Sequence, residues 1–469
     1  MTVKLWPHQE QVIDKVIGEN LSHYGLFFET GLGKTLTVIE LIKQIWRKDK
    51  NASPVLIVTV PSVVEQFARE IEKYSQLLFG VTRTIPAGIS AHKRIKLLQD
   101  NAGMIFITNY QAMLVKDFFA ELVAKRFKMV VLDESHKIKN PAAKTTKAIH
   151  LLGDLAKYRF ICTGTPAPNS YLDLWAQVRF LSPTIFPKSF YRFRLHYFYD
   201  KNANMPRHVH FPDWQPHPES ARKLAVIIKK HASVVKKKDV LNLPALVKQQ
   251  RYVSLTKDIS RHYKELEKDL VTYINDDAYS VDMAATKLIR LQQICCGFLP
   301  DSKGEIMDFK CEKYDALKDL LETICFKHQV IVWTSFVHTY GKIADVAKEL
   351  GHACSFVVGG QKTPERELEL KQFELGETRV LVANAAAGGE GLNLQHASYM
   401  IYFSKTFNLT HNIQSEARAY RAGSERHGSV VRIDLLTKDT VEERIHNALE
   451  HKKKVQDVLL SYKRELVNG

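Results

Sequence analysis

The sequence predicts an α/β chain in which two parallel-sheet domains are separated by a helical segment. Three observations lead there. In the first part, the short apolar runs YGLFF, VLIVTV, MIFITN, MVVLDE and RFICTG alternate with amphipathic stretches of helix length, as in a parallel sheet joined by crossover helices. After LSPTIFP the alternation gives way to aromatic-rich and lysine-rich segments, with long helical stretches such as KDISRHYKELEKDLVTYI and MAATKLIRLQQICC. From about residue 311 it returns, with VIVWTS, CSFVVG, VLVANA, MIYFS and VVRIDL as strands and a charged helix from Val441 onward. The expected division is a sheet domain over 1–182, a helical insertion over 183–310 and a second sheet domain over 311–469.

Composition sets the outer bounds. A chain of 469 residues, 45% of them hydrophobic, is too long for one core and suits two or three. The longest apolar run, around PVLIVTVPSVV, falls short of the roughly 18–20 residues a membrane span needs, and MTVKLWPHQE lacks a signal-peptide pattern. A cytoplasmic chain, or a nuclear one in a eukaryote, is expected. The six cysteines show no CxxC spacing and no partner histidine cluster, so they read as reduced, mostly buried thiols. The formal charge of +16 favours a polyanionic partner.

Residues 29–35 read ETGLGKT, between YGLFF and the helical stretch LTVIELIKQIW. A strand leading through a glycine turn into a helix exposes backbone N–H groups at the helix start, where a phosphate chain is stabilised by donors and dipole together. Gly31 and Gly33 allow close backbone approach, Lys34 would reach the β- and γ-phosphates, and the Thr35 hydroxyl would ligate magnesium. Glu29, Thr30 and Leu32 complete the expected nucleotide-binding loop. The full pattern G-x-x-x-x-G-K-[ST] is not met, since Phe28 stands at its first glycine.

The strand of KMVVLDESHKIKN ends in adjacent carboxylates with separate jobs: Asp133 to hold magnesium, Glu134 to polarise the attacking water. In HNIQSEARAYRAGSERHG, Gln414, Arg418 and Arg421 lie at i, i+4 and i+7, so one helix face would present all three. The glycine-rich turn NAAAGGEGLNL, with Gly391, places a further loop at a strand end, where ligands of α/β sheets bind.

Taken in order, these segments resemble the Swi/Snf-type family of superfamily-two helicase-like ATPases over nearly the whole chain. LWPHQEQVI is similar to the family's adenine-reading segment, with Gln9 as its glutamine. ETGLGKT, PVLIVTVPSVVEQFAREI, ITNYQAM, DESHKIKN and ICTGTPAPNSYLDLWAQVRFL follow, then RLQQICCGFL, VIVWTSF, GGEGLNL and QSEARAYRAG. Departures exist. Ser135 replaces the usual alanine of the Asp-Glu-Ala-His box, Phe407, Asn408 and Leu409 replace Trp-Asn-Pro, and Ser424 stands where glutamine commonly ends the arginine motif.

The resemblance implies two RecA-like lobes with ATP and Mg2+ at their interface, the second lobe supplying Arg418 and Arg421. It implies double-stranded DNA as the track and a monomeric, minimal motor, of a size that suits a bacterial or bacteriophage setting. A strand-separating DNA or RNA helicase, or an ATP-switched DNA loader, are the alternatives. The lysines of VIIKKHASVVKKKDV suit a phosphate track or a solvated helix face. Tyr191, Phe193, Tyr197 and Phe198 are expected to pack as an aromatic core between the lobes rather than to stack on bases.

Overall fold

The computed structural model describes residues 4–451 apart from 101, 169, 206–211, 276–280, 302 and 389–391. The chain divides into two compact units, Met1–Leu241 and Asn242–Gly469. That boundary falls inside the expected helical insertion. Residues 183–241 belong with the first sheet and 242–310 with the second, so the middle of the chain is shared between the units.

The first unit holds β1 (His23–Phe28), β2 (Val55–Thr59), β3 (Thr82–Thr84), β4 (Ile105–Asn109), β5 (Met129–Asp133) and β6 (Tyr158–Cys162). The short pair β7 (Phe198–Asp200) and β8 (Trp214–Pro216) follows, and then β9 (Ala232–Val235). Seven of these form one parallel sheet in the order β3-β4-β2-β5-β6-β1-β9. Its central strands are buried on both faces, which explains their continuous apolar runs. One apolar layer contains Val38, Ile42 and Ile45 of the helix Lys34–Lys48; the other contains Phe118, Ile149 and Phe180. The aromatic segment completes this second layer. Phe193 lies 4.7 Å from Phe186 and 5.1 Å from Tyr197 between ring centroids, and Phe198 joins them. Phe193, Tyr197 and Phe198 are thus, with Phe186, core of the first unit itself, while Tyr191 is 60% exposed and takes no part in it.

The second unit holds β10 (Ala245–Val253), the hairpin of β11 (Phe298–Pro300) with β12 (Ile306–Asp308), and β13 (Val330–Trp333). After them come β14 (Cys354–Val357), β15 (Val380–Ala383), β16 (Tyr399–Tyr402) and β17 (Ser429–Thr437). The parallel sheet runs β10-β17-β16-β13-β15-β14. The helices Lys257–Asn275 and Val281–Cys295 pack on the C-terminal helix Val441–Glu450 through Ile259, Tyr263, Leu288, Leu291, Val441 and Ile445. The Tyr263 hydroxyl accepts from the Val441 N–H at 2.7 Å.

A charge network, buried at Arg432 and Asp434 and reaching the surface at Glu450, fastens the same C-terminal helix to β17. Arg432 reaches Asp434 and Glu450, each at 2.8 Å, and Lys405 reaches Asp434 at 2.9 Å. Asp434, His446 and Glu450 stand close enough to share a cation, but two protein cations already neutralise the Asp434 carboxylate. The network is structural. The cysteines are free thiols among the described residues, four buried and Cys311 and Cys354 half-buried, and no helix described is long and apolar enough to cross a membrane.

Candidate active site

Sheet order assembles the site. In the run β5-β6-β1, three adjacent parallel strands end on one side, and each is followed by a segment carrying polar groups. Behind β1 comes the loop Glu29–Gly33, behind β6 comes Thr163–Pro166, and β5 ends at Asp133 with Glu134 behind it.

The loop is shaped by two left-handed glycines, Gly31 at φ 91° and Gly33 at φ 74°. Gly33 caps the helix Lys34–Lys48 in left-handed backbone, and a Cβ there would collide with Gln9 Nε2. Only glycine fits. Gln9 is 2% exposed and donates through Nε2 to the Gly33 carbonyl at 3.0 Å, while its Oε1 accepts from the Trp6 N–H at 2.8 Å. His8 Nε2 lies 3.0 Å from the Leu32 carbonyl, so the helix Pro7–Gly18 holds the loop at two points. Lys34 donates to the Phe28 carbonyl at 3.0 Å, folded back on the end of β1. Glu29 points elsewhere: its carboxylate accepts from the Lys237 N–H at 2.8 Å and its N–H donates to Val235 O, joining the loop to β9.

Asp133 is buried, and its Oδ2 accepts from the Thr59 hydroxyl at 2.8 Å. Burial and the neighbouring Glu134 push its pKa up to about 7, against the opposing pull of Lys34 and Thr59. Tyr110 donates to the Asp133 carbonyl at 2.7 Å and fixes the strand end. Glu134 occupies left-handed backbone, φ 52° and ψ 50°, a strained conformation for a side chain that lacks glycine's freedom. Its Oε2 lies 3.2 Å from His136 Nδ1 and 3.4 Å from Thr163 Oγ1. His136 and Thr163 also touch each other, at 3.1 Å. The expected pair of carboxylates is therefore adjacent to the expected loop, with Thr163 between them.

These residues fit a magnesium-bound nucleoside triphosphate. The glycine loop offers a cradle that no Cβ fills, and Gly164 approaches it so closely that a Cβ there would lie 3.1 Å from the Thr30 nitrogen. His8 Nδ1 and Thr165 Oγ1 are buried without a hydrogen-bond partner. Sequence reasoning assigned no role to Thr59, Tyr110, Thr163 or Gln177, although all four lie in segments that carry the family resemblance, PVLIVTVPSVVEQFAREI, ITNYQAM and ICTGTPAPNSYLDLWAQVRFL.

In the second unit, Gln414 and Arg418 lie on the helix Leu409–Ala419 and are buried, at 3% and 6% exposure. Arg421 is not on that helix. The backbone leaves helical geometry at Tyr420, and Ser424 takes the Arg421 carbonyl with both its N–H and its hydroxyl while Gly423 turns at φ 99°. Arg421 instead donates to the Leu392 carbonyl at 3.1 Å and to Asn393 Oδ1. The arginine segment and the glycine-rich turn thus meet, as the Leu394 N–H to Arg418 O bond also shows. Gly391 lies outside the described residues.

The raised pKa of Asp133 makes a stability prediction. In the metal-free protein a carboxyl that titrates near 7 when folded and near 3.8 when unfolded contributes fully below 3.8, and that contribution is lost as pH rises through 7. Asp133→Asn should raise Tm by roughly 5–10 °C at pH 8, an effect of order 2–4 kcal/mol, and by almost nothing at pH 4. Thermal melts at both pH values, without divalent metal, check this. Equal melting of both proteins at pH 8 would show that Asp133 ionises there without cost.

Two family models match this chain. Residues 8–298 match the SNF2-related domain and residues 312–423 the helicase conserved C-terminal domain. A Bacillus subtilis relative, YwqA, with the provisional name ATP-dependent helicase/translocase, is 25% identical over 97% of this chain and 49% of its own length. The Danio rerio protein named chromodomain-helicase-DNA-binding protein 1-like is 25% identical over 92% of this chain and 41% of its own. This chain thus spans about half or less of these relatives. A solved Sulfolobus solfataricus SWI2/SNF2 ATPase core in complex with double-stranded DNA aligns over 96% of this chain and 92% of that one, with 25% identity and a TM-score of 0.45. With the SNF2-related domain matched over more than half its length and the helicase C-terminal domain behind it, the chain belongs to the SNF2 family of superfamily-two helicase-like proteins.

Proposed function

We propose that this protein is a DNA-dependent ATPase that couples hydrolysis to movement along double-stranded DNA. The observation that carries the reading is the convergence of the glycine loop, Asp133 with Glu134, and Thr163 at three adjacent strand ends. Magnesium-bound ATP supplies the phosphoanhydride whose cleavage drives the cycle. Lys34 and the backbone of Thr30–Gly33 bind its phosphates, Thr35 and Asp133 hold the metal, and Gln9 reads the base. Glu134 orients water and accepts its proton, with His136 and Thr163 holding the carboxylate in place. Arg418 and Arg421 stabilise charge during transfer, assisted by Gln414 and the loop at Gly391.

DNA as the partner is supported by the charge of +16 and by relatives named for helicase or DNA-binding activity. Lys229, Lys230, Lys236 and Lys238 are exposed and suit a phosphate backbone; they do not line one helix, because β9 interrupts the run. Steady-state ATP hydrolysis with and without duplex DNA, over a salt series, tests the reading. Strong stimulation that depends little on sequence and falls steeply with salt is expected. Hydrolysis unmoved by DNA would contradict it.

A further inference from the structure

Ser135 and Gln177 have no assigned role, yet they form a fully hydrogen-bonded polar node near the site. Both are fully buried. Ser135 Oγ donates to Gln177 Oε1 at 2.8 Å, and Gln177 Nε2 spends its two hydrogens on the carbonyls of Pro166 and of Asp173, the latter at 2.8 Å. Two carbonyls on the nitrogen side and a hydroxyl on the oxygen side leave one orientation for this amide. Its three partners come from three segments: the strained turn that carries Glu134, the segment that carries Thr163, and the start of the helix Leu174–Leu181.

The first two of those segments supply the groups around the Glu134 carboxylate. His136 Nδ1 belongs to the turn and Thr163 to the segment ending at Pro166, so their separation sets where Glu134 points. The helix itself does not need a polar residue here. Trp175, Ala176, Val178, Phe180 and Leu181 around Gln177 are all in the apolar core, and a buried amide costs desolvation that an apolar side chain of similar size avoids. We infer that Ser135 and Gln177 are positioning residues, a two-residue clasp that ties the Glu134 turn to the Thr163–Pro166 segment and thereby aims the carboxylate at water. The inference rests on the ATPase reading.

A double-variant cycle on the full chain tests it, with DNA-stimulated kcat, KM for ATP and Tm measured for each protein. Ser135→Ala and Gln177→Leu should each lower kcat by about tenfold, with KM for ATP changed less than about threefold. The pair together should lose no more than the worse single change, since either one already opens the clasp. A Tm well above the assay temperature for all three separates this from loss of fold. Single variants that are folded and keep kcat within about twofold of the parent, or losses that multiply in the pair, would overturn the clasp alone. A parent protein with no DNA-stimulated hydrolysis would overturn the function itself, and the clasp with it.

Discussion

Glu134→Gln is expected to retain ATP binding within a few-fold and to lower DNA-stimulated turnover by on the order of 10²–10⁴. The amide keeps the size of the carboxylate but cannot take a proton from water. It also exchanges an acceptor facing Thr163 and His136 for a group that is half donor. Lys34→Ala should fail differently. Lys34 is the cation of the loop, so its loss should weaken ATP binding itself. Equilibrium binding of a fluorescent nucleotide beside steady-state turnover separates the two. Turnover of Glu134→Gln within a few-fold of the parent would remove Glu134 from the chemistry.

The second large effect is expected at Arg421. Arg421→Ala should preserve nucleotide affinity much better than kcat, with a loss of order 10³ if its guanidinium neutralises charge in the transition state. The contacts it makes to Leu392 and Asn393 give it a competing role, since they hold the glycine-rich turn against the arginine segment. Asn393→Ala distinguishes the roles: it removes one anchor of Arg421 and leaves the guanidinium. A large loss at Arg421 with a small one at Asn393 supports the charge role, and an unchanged kcat for Arg421→Ala returns the residue to holding the loop.

Much of the fold was legible because parallel strands buried on both faces are written as continuous β-branched runs. Ten strands were visible, most of them for that reason; β14 is an edge strand buried only at alternate residues. The strands overlooked in the two sheets break the rule in different ways. β10 pairs along nine residues with β17, yet most of ALVKQQRYV is exposed, so no apolar pattern marks it. β9 is hidden inside a lysine run, and β3 has three residues. At the site, the glycine loop and the paired carboxylates were legible because local spacing carries their chemistry. Thr59, Tyr110 and Gln177 were not, because each acts on a residue more than twenty positions away, and only sheet order brings them together. Helical spacing misplaced Arg421 because the competing turn at Gly423 and Ser424 ends the helix first.

The central claim is movement along an intact duplex, and it is tested most directly by two substrates run side by side at one low salt concentration. One is a duplex carrying a triplex-forming third strand; the other is a simple labelled fork. Phosphate contacts along a duplex predict ATP-dependent displacement of the third strand, with double-stranded DNA as the best activator of hydrolysis and the fork left paired. Efficient unwinding of the fork with no triplex displacement, or stimulation by RNA exceeding that by duplex DNA, would contradict the account.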